Sequence, residues 1–251
     1  MVLLLFVDLD PDLAALRPLG GFFVLRVTGE PLRPPATLAR TYARPALPQD
    51  QDPLRVRVRK VGDALRAPEP RIAASVAQQG LAARLWSVTL GCAALYGAVP
   101  DLDPRLLRWD PDGSAPDDLW LTEVRPRPAD AATVADVVLH GHLEPLGAAL
   151  RARYRVADGL LWGNAGSALA GAARQLHQWA RAHGRADVAA RSGALTAELL
   201  AHPLLARTGT LTAAGFRRRS CCLYYRVPGG GVCGDCCFTR APRSSPRAPS
   251  G

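Results

Sequence analysis

The sequence predicts a helix-dominated α+β protein, with a cysteine-rich C-terminal segment packed on a mainly helical body. Long stretches between residues 70 and 201 carry apolar residues three and four positions apart, which is the period of a helix lying on a core. Strand-like stretches are few and short. Five of the six cysteines stand within 17 positions near the end of the chain, too close together for an ordinary core.

The first 53 residues predict little regular structure. The apolar start, residues 1–7, is short and is followed by three aspartates, so we expect a buried strand or helix start rather than a signal peptide. An apolar run at 22–25 predicts a short strand after the Gly20-Gly21 break. Residues 31–53 contain six prolines, which favours a loop or linker.

Two helices follow. Asp52 and Pro53 are typical of an N-cap and a first turn, and the apolar residues from there to Leu65 keep helical spacing. A strand is the competing interpretation, but the apolar–arginine alternation fails after Val58. The clearest helix spans 70–97, and one face of it is apolar. That face comprises Leu81, Leu85, Val88, Cys92 and Leu95. Cys92 is therefore expected to be a buried core residue.

The middle of the chain predicts one hairpin and one interrupted helix. Two strand-like stretches, 106–109 and 119–124, flank the turn sequence Asp110-Pro111-Asp112-Gly113. Residues 131–154 are helical in pattern, with a break expected near His142–Pro145.

Two more helices complete the body. Residues 160–183 form a helix that Gly184 ends, and its three glycines are expected to allow close packing. They are Gly163, Gly166 and Gly171. Residues 187–201 form another helix, which Pro203 stops. The tail, residues 239–251, is rich in Pro, Ser and Arg and is expected to be disordered.

The pattern divides the chain into four parts. Residues 1–69 are an N-terminal region with a proline-rich linker, and residues 70–207 are the helical body. Residues 208–238 are the cysteine-rich segment, and residues 239–251 are the tail.

The charge balance narrows the choice of partners. The formal net charge is +9, and Lys60 is the only lysine, so arginine supplies nearly all of the positive charge. Such a balance suits nucleic acid, a membrane surface or an anionic small molecule. No helix-turn-helix, zinc-finger histidine pair or RNA-binding signature is present, so nucleic acid is not expected as a partner. The longest uncharged run, 85–100, is short for a spanning helix, and the predicted location is the cytoplasm, including the inner face of the membrane.

The cysteines define the functional hypothesis. Four of them fit the spacing C-C-x10-C-x2-C, and they are Cys221, Cys222, Cys233 and Cys236. Disulfides would leave one of the five clustered cysteines unpaired and need an oxidising compartment. A single zinc ion usually takes two C-x2-4-C knuckles, and adjacent cysteines make a poor second knuckle because neighbouring side chains diverge. A [2Fe-2S] cluster is wider, takes two thiolates on each iron, and fits this spacing best.

The residues between and before these cysteines suit an anionic redox centre. Pro228-Gly229-Gly230-Gly231 is a turn without side-chain bulk, whose backbone N–H groups are expected to approach sulfur. Four arginines would supply positive charge, which raises the reduction potential of a cluster. They are Arg217, Arg218, Arg219 and Arg226. Taken alone, the arginine run would instead indicate a solvated basic face.

This stretch resembles the C-terminal end of the ferric siderophore reductase family of the FhuF type. That family carries the C-C-x10-C-x2-C cluster motif, and the four cysteines reproduce it without gaps. The preceding Arg218-Arg219-Ser220 and the following Leu223-Tyr224-Tyr225 match as well. Cys237 departs from the family, which usually has another residue there. The resemblance covers about Arg71 to Cys237 and is strongest over its last thirty residues.

The resemblance implies an enzyme that binds a [2Fe-2S] cluster and reduces Fe(III) in a siderophore by one electron, releasing Fe(II). It implies that Cys221, Cys222, Cys233 and Cys236 are the cluster ligands. No flavin or nicotinamide motif is present, so an external donor is expected, either a ferredoxin or a flavoprotein reductase. Two other functions remain open at this point: a non-enzymatic iron–sulfur sensor or electron carrier, and a zinc-stapled interaction module.

Two weaker constellations have structural explanations. His140, His142 and Glu144 would be a metal site only if a second segment supplied further ligands. The glycines of Trp162–Ser167 have nucleotide-loop spacing, but no strand-turn-helix pattern precedes them, so close helix packing is the better interpretation.

Overall fold

Helices make up most of the chain in the computed structural model, which describes residues 9, 13–27, 35–43, 48, 51–212 and 214–242. The α-helices of this part are α1 (Leu38–Tyr42), α2 (Pro53–Leu65), α3 (Pro70–Tyr96), α4 (Ala131–Ala135), α5 (Glu144–Tyr154), α6 (Asp158–Ala182) and α7 (Ala186–Ala201). The strands are β1 (Ala98–Pro100), β2 (Leu107–Trp109), β3 (Leu119–Leu121), β4 (Pro126–Pro128), β5 (Gly209–Thr212) and β6 (Gly215–Arg218). They pair antiparallel as β1–β4, β2–β3 and β5–β6. The predicted helix-dominated α+β class is therefore confirmed.

Helix α3 is the centre of the body, and it packs against α2, α5, α6 and α7. The predicted apolar face lies in the core, and Cys92 on it is fully buried as expected. The other faces of α3 are also mostly buried, which a single apolar stripe did not indicate. Alanines at many of these positions let several helices approach the same backbone.

The N-terminal segment is anchored on α3 by a buried arginine. Arg84, only 2% exposed, donates from Nε to Asp118 Oδ1 at 3.0 Å and from Nη2 to the carbonyl of Val24 at 2.8 Å. It also binds the carbonyls of Gly21 and Phe22. One side chain thus joins the N-terminal segment and the β2–β3 hairpin to the central helix.

Replacing Arg84 by methionine should lower the free energy of unfolding by about 3–5 kcal/mol, because Asp118 would stay buried without its partner. Urea denaturation would measure the loss. Arg26→Met is the matched control, since the Arg26–Asp117 ion pair is exposed and should contribute about 1 kcal/mol or less. Equal losses in the two variants would contradict the anchoring role. The double variant Arg84→Met/Asp118→Leu should recover the part of the loss that comes from the unpaired Asp118 carboxylate, but not the part that comes from the carbonyls of residues 21, 22 and 24.

The N-terminal half differs from the sequence prediction in two places. The expected strand at 22–25 is wrong. The segment makes one isolated β-bridge, between Arg26 and Trp120, and the side chains of Phe23 and Leu25 are buried in the core. The expected loop at 31–53 contains helix α1, whose Thr37 side chain accepts from Arg40 N. Residues 1–8, 10–12, 28–34, 44–47 and 49–50 lie outside the described part, and the expectations for them stay untested.

The predicted helix starts and ends are otherwise confirmed. Asp52 caps α2 by accepting from Leu54 N at 3.0 Å, and it also pairs with Arg153 at 3.0 Å. Gly184, with φ +65°, follows the end of α6, and α7 ends before Pro203. The hairpin predicted around residues 110–113 is the β2–β3 pair. The tail beyond residue 242 lies outside the described residues.

The predicted break near His142–Pro145 is wrong in form. Residues 136–143 adopt a π-helix that joins α4 to α5, so the segment stays helical. Pro145 has no N–H to donate to the preceding turn. The wider hydrogen-bonded turns of a π-helix keep the segment helical despite this missing donor. His142 points into the core, where its Nε2 lies 2.6 Å from Leu102 O and its Nδ1 lies 2.9 Å from Tyr42 Oη. Burial lowers its pKa to about 4.

No helix in the described part of the chain has the length and apolarity required to cross a membrane.

Candidate functional site

The cysteine segment is carried by the β5–β6 hairpin, which packs on α6. Strand β6 sends successive side chains to opposite faces. Arg218 therefore points inward and is 2% exposed, whereas Arg217 and Arg219 are exposed. The three consecutive arginines therefore lie in different environments. Arg218 is buried beneath the cysteines, whereas Arg217 and Arg219 face the solvent.

Two glycines of α6 let the hairpin touch the helix. A Cβ at Gly163 would collide with Ser220 Oγ, and a Cβ at Gly166 would collide with Thr208 Oγ1. Close packing, rather than nucleotide binding, is therefore what these two positions serve. Gly171 has only the Arg174 guanidinium within 4.0 Å, so the same expectation was wrong for that residue.

The five cysteines near the C-terminus lie together as thiols, and no disulfide joins them. Cys222 and Cys236 are buried, and the other three are half-buried. Cys222 Sγ lies 3.6 Å from Cys233 Sγ. A tight turn, in which Cys236 N donates to Cys233 O at 3.0 Å, brings the two ends of the C-x2-C pair to the same side. A pair of adjacent cysteines thus faces a C-x2-C turn.

Backbone N–H groups point at the sulfur atoms. Leu223 N lies 3.2 Å from Cys221 Sγ, and Phe238 N lies 3.4 Å from Cys236 Sγ. Leu223 reaches this position with φ +68°, an uncommon conformation for a leucine. N–H donors of this kind stabilise thiolates and tune metal–sulfur centres.

Thiols this close together affect each other's protonation. The hydrogen bond between the Cys222 and Cys233 thiols lowers the pKa of Cys222 to about 6 and raises the pKa of Cys233. Burial, with a smaller contribution from the neighbouring cysteines, raises the pKa of Cys221 to about 11, although the Leu223 N–H acts in the opposite direction. Several thiolates can therefore form here together only with a strong positive counterpart.

A buried polar chain lies beneath the cysteines. Arg218 Nη2 donates to Asn164 Oδ1 at 2.6 Å, and Asn164 Nδ2 donates to Ser75 O at 2.9 Å. Ser75 Oγ in turn donates to the backbone carbonyl of Cys222 at 2.8 Å. The chain joins α6 and α3 to the first cysteine pair. Sequence reasoning missed both Asn164 and Ser75, although a polar Asn between small residues on a buried helix was a usable signal.

Arg218 brings a positive charge to this buried position, and no carboxylate among the described residues lies within ion-pair distance of it. Its Nε and Nη1 atoms are buried without a hydrogen-bond partner in the described structure. The guanidinium lies within electrostatic range of Cys222, Cys233 and Cys237. A buried cation with two unused donors requires an anionic neighbour. The residues present therefore fit a negatively charged thiolate-bound group.

The C-x2-C turn is fixed from inside by its own aspartate. Asp235 Oδ2 accepts from Ser167 Oγ at 2.6 Å, and Asp235 Oδ1 lies 3.5 Å from Arg174 Nη1. Its backbone carbonyl accepts from Arg218 N at 2.9 Å. Asp235 and Ser167 were also missed by sequence reasoning, and an acid inside a C-x2-C turn of a basic segment was the available signal.

The glycine loop between the cysteine pairs packs mainly on itself. Gly230 N donates to Val227 O at 2.8 Å, and Gly229 has φ +72°. A Cβ at Gly230 would press on the carbonyls of Tyr224 and Val227 rather than on a cysteine. Among the hydrogen bonds to cysteine sulfur in the described part of the chain, none comes from these glycines. Arg226 in this loop pairs with Glu69 at 2.6 Å, at the start of α3.

Comparison with known families decides what these cysteines belong to. The family described as Ferric iron reductase FhuF-like transporter matches residues 81–212, and the FhuF 2Fe-2S C-terminal domain matches residues 218–238. The chain belongs to the FhuF-like ferric iron reductase family. The resemblance read from the cysteine motif is thereby confirmed, although the matches begin at residue 81 rather than near Arg71. No curated protein matches the chain significantly.

Membership in this family establishes a [2Fe-2S] cluster as the cofactor and iron reduction as the general activity. A zinc-stapled module is therefore set aside. The cluster domain coincides with the cysteine turn, the buried Arg218 and Asp235. The structure thus describes a polar foundation for the cofactor that the motif alone does not contain.

The histidine constellation does not form a metal site. His140 Nδ1 lies 2.6 Å from Glu144 Oε2 on the surface, whereas His142 is buried on the opposite side with Tyr42 and Leu102. Among the described residues, no group of three His, Cys, Asp or Glu side chains converges as ligands of a single metal ion do.

Proposed function

We propose that this FhuF-like protein reduces Fe(III) held in a siderophore by one electron and so releases Fe(II). A siderophore holds Fe(III) with hard oxygen ligands and holds Fe(II) far more weakly, so a single electron is sufficient for release. The bound [2Fe-2S] cluster supplies one-electron transfer, which needs no general acid, base or nucleophile. The observation that carries the proposal is Arg218, which is buried beneath the five clustered thiols. No carboxylate among the described residues lies within ion-pair distance of it.

The proposed cluster ligands are Cys221, Cys222, Cys233 and Cys236. Cys222 and Cys236 are the two most buried of the five, and the Phe238 N–H points at Cys236. Cys237 is the proposed spare thiol, since it follows the C-x2-C turn that Asp235 fixes to α6.

The residues around the cysteines have separate proposed roles. Arg218 stabilises the negative charge of the site, and that charge grows by one on reduction. The Asn164–Ser75 chain holds Arg218 in place and ties the Cys222 backbone to α3. Ser167 and Asp235 keep the second cysteine pair in register with the first.

The proposed organisation follows the sequence boundaries. The helical body of 70–207 is the platform, and residues 208–238 carry the cluster. Residues 1–69 and the tail at 239–251 are separate parts. This division is supported by β5, which begins at Gly209, directly after the body. We further propose a separate electron donor, a ferredoxin or a flavoprotein reductase, and a cytoplasmic place of work, including the inner face of the membrane.

The test is a direct electron-transfer experiment. The protein is purified without oxygen, reduced with dithionite, freed of excess reductant and mixed with ferric siderophores of the catecholate and hydroxamate classes. We expect the visible spectrum of the oxidised cluster to return while an Fe(II)-specific chelator traps one Fe(II) per electron. If no siderophore class reoxidises the protein, the proposed substrate is wrong, and a sensor or carrier function would take its place.

A further inference from the structure

The exposed surface of the cysteine segment is rich in large apolar side chains. In the described part of the chain, five such side chains are exposed, and four of them lie between residues 211 and 238. Three of these four, Tyr224, Val232 and Phe238, stand within two positions of a cysteine. Exposed apolar side chains that are grouped in this way mark a surface that a partner covers.

The cysteine cluster brings these three side chains into one neighbourhood. Tyr224 and Val232 stand next to the two cysteines whose sulfur atoms lie 3.6 Å apart, Cys222 and Cys233. Phe238 lies beside the same loop, because its ring packs edge-on against that of Tyr225, with 5.9 Å between the ring centroids. We call Tyr224, Val232 and Phe238 the apolar patch. A partner that covers this patch comes close to the proposed cluster ligands.

Positive charge surrounds the apolar patch. Residues 203–242 contain six arginines and one acidic residue, Asp235. The Asp235 carboxylate is directed inward, where it contacts Ser167 and Arg174. Four of the arginines are exposed and form no ion pair with any described residue, and they are Arg207, Arg217, Arg219 and Arg240. The exposed charge of this segment is therefore of one sign.

Arg217 lies at the edge of the apolar patch. Its Nη2 donates to the carbonyl of Cys237 at 3.4 Å, and Cys237 directly precedes Phe238. Arg219, two positions further along, points to the same side as Arg217 and away from the buried Arg218. Exposed guanidinium groups beside an apolar centre attract an acidic surface and orient it during the encounter.

The shape of this surface suits a large partner. The cavities of about 290, 480, 640 and 680 Å³ in the described part of the chain are lined by other residues, and no side chain of the apolar patch belongs to them. A small molecule is normally held in a concave site that encloses most of its surface. An open apolar centre with a charged rim is instead the arrangement of a protein–protein interface.

An anionic membrane would also be attracted by exposed arginines and aromatic rings. A membrane lying on the apolar patch would cover the cysteines and keep an electron donor away from them. The proposed reduction requires that an electron enter the protein near these cysteines. The position of the patch therefore favours a protein that carries electrons.

We propose that the apolar patch, with Arg217 and Arg219 at its edge, docks an acidic electron-donor protein of the ferredoxin class. The reduced donor loses one electron and this protein gains it, so no atom is exchanged. Complexes of this kind are small and transient. The inference rests on the proposed ferric reduction and adds the face at which the donor binds.

The test uses an acidic plant-type ferredoxin as the donor and the cluster-containing protein as the acceptor. Stopped-flow mixing of reduced ferredoxin with oxidised protein gives the rate of electron transfer, and titration calorimetry of the two oxidised proteins gives the dissociation constant. Both are measured at low and moderate salt. Sedimentation with phosphatidylglycerol vesicles is measured in parallel. Iron content, acid-labile sulfide and reduction potential show that each variant keeps its cluster.

The variants separate the charged rim from the apolar centre. Arg217→Gln/Arg219→Gln removes two positive charges, and Phe238→Ala removes an apolar side chain while keeping the backbone N–H beside Cys236. The matched control is Arg17→Gln/Arg181→Gln, which removes the same charge at two exposed positions outside the cysteine segment.

We expect the Arg217→Gln/Arg219→Gln variant to lose tenfold or more of the transfer rate at low salt, together with most of its salt dependence. Phe238→Ala should weaken binding at both salt concentrations and keep the salt dependence, because it removes apolar contact and no charge. The control should behave as the wild-type protein does.

An unchanged rate in the arginine variant, an equal loss in the control, or no transfer from ferredoxin to the wild-type protein would overturn the docking face. If the arginine variant keeps the transfer rate but no longer sediments with the vesicles, the face binds a membrane and the proposal is wrong. These failures are distinct from failure of the reductase proposal, because reoxidation of the dithionite-reduced protein by ferric siderophores needs no donor protein.

Discussion

The Cys222→Ser variant should lose the [2Fe-2S] cluster, whereas Cys237→Ser should assemble it normally. Cys222 is buried, its sulfur lies 3.6 Å from that of Cys233, and a serine oxygen is a poor substitute for a thiolate on iron. The fold of the apo variant should persist, because Ser75 binds the backbone carbonyl of Cys222 rather than its side chain. Iron and acid-labile sulfide content measures the first effect, and far-UV circular dichroism measures the second.

The same pair of measurements decides the fourth ligand. Cys236→Ser should behave like Cys222→Ser, because the Phe238 N–H points at the Cys236 sulfur and that sulfur lies in a buried residue. A Cys236→Ser protein with full iron and sulfide, together with a Cys237→Ser protein that has neither, would assign the ligand to Cys237 instead.

Replacing Arg218 by glutamine should lower the reduction potential of the cluster. The variant removes the buried positive charge near Cys222 and Cys233, and that charge stabilises the reduced, more negative form. An interaction of about 1–2 kcal/mol corresponds to roughly 50–100 mV for a one-electron couple. Potentiometric titration followed by electron paramagnetic resonance measures the shift.

Arg219→Gln is the matched control, because Arg219 is the exposed neighbour on the same segment and should change the potential little. Arg218→Lys keeps the charge but not the hydrogen bond to Asn164, so it should retain more of the potential than Arg218→Gln. An Arg218→Gln protein with full iron and sulfide and an unchanged potential would contradict the proposed role.

The cysteine motif shows which features of this protein the spacing of residues along the chain can predict. Spacing predicted the C-C-x10-C-x2-C motif and its cofactor, because thiolates concentrated in one short segment must share a centre. The long helices were also predictable, since α3, α6 and α7 carry apolar residues at helical spacing, and Gly97 and Gly184 with positive φ follow α3 and α6. The strand expected at 22–25 did not form because backbone carbonyls of this segment bind the Arg84 side chain instead of pairing with a neighbouring strand.

The polar foundation of the site was not predictable in the same way. Ser75, Asn164 and Arg218 are far apart in the sequence, and each has an ordinary explanation when considered alone. Only the packing of β6 on the glycines of α6 turns Arg218 inward and leaves Arg217 and Arg219 in water. The contact between the α2–α3 turn and the cysteine loop likewise depends on an ion pair between distant residues, Glu69 and Arg226.

The sequence by itself determined the helical class of the protein, the cysteine motif and the family, because each is written in periods and spacings along the chain. The tertiary structure alone decided which arginine is buried under the cysteines and which of its neighbours are exposed. Burial and charge pairing depend on contacts between distant segments, and the free energy of a charge depends on those contacts rather than on its neighbours in sequence.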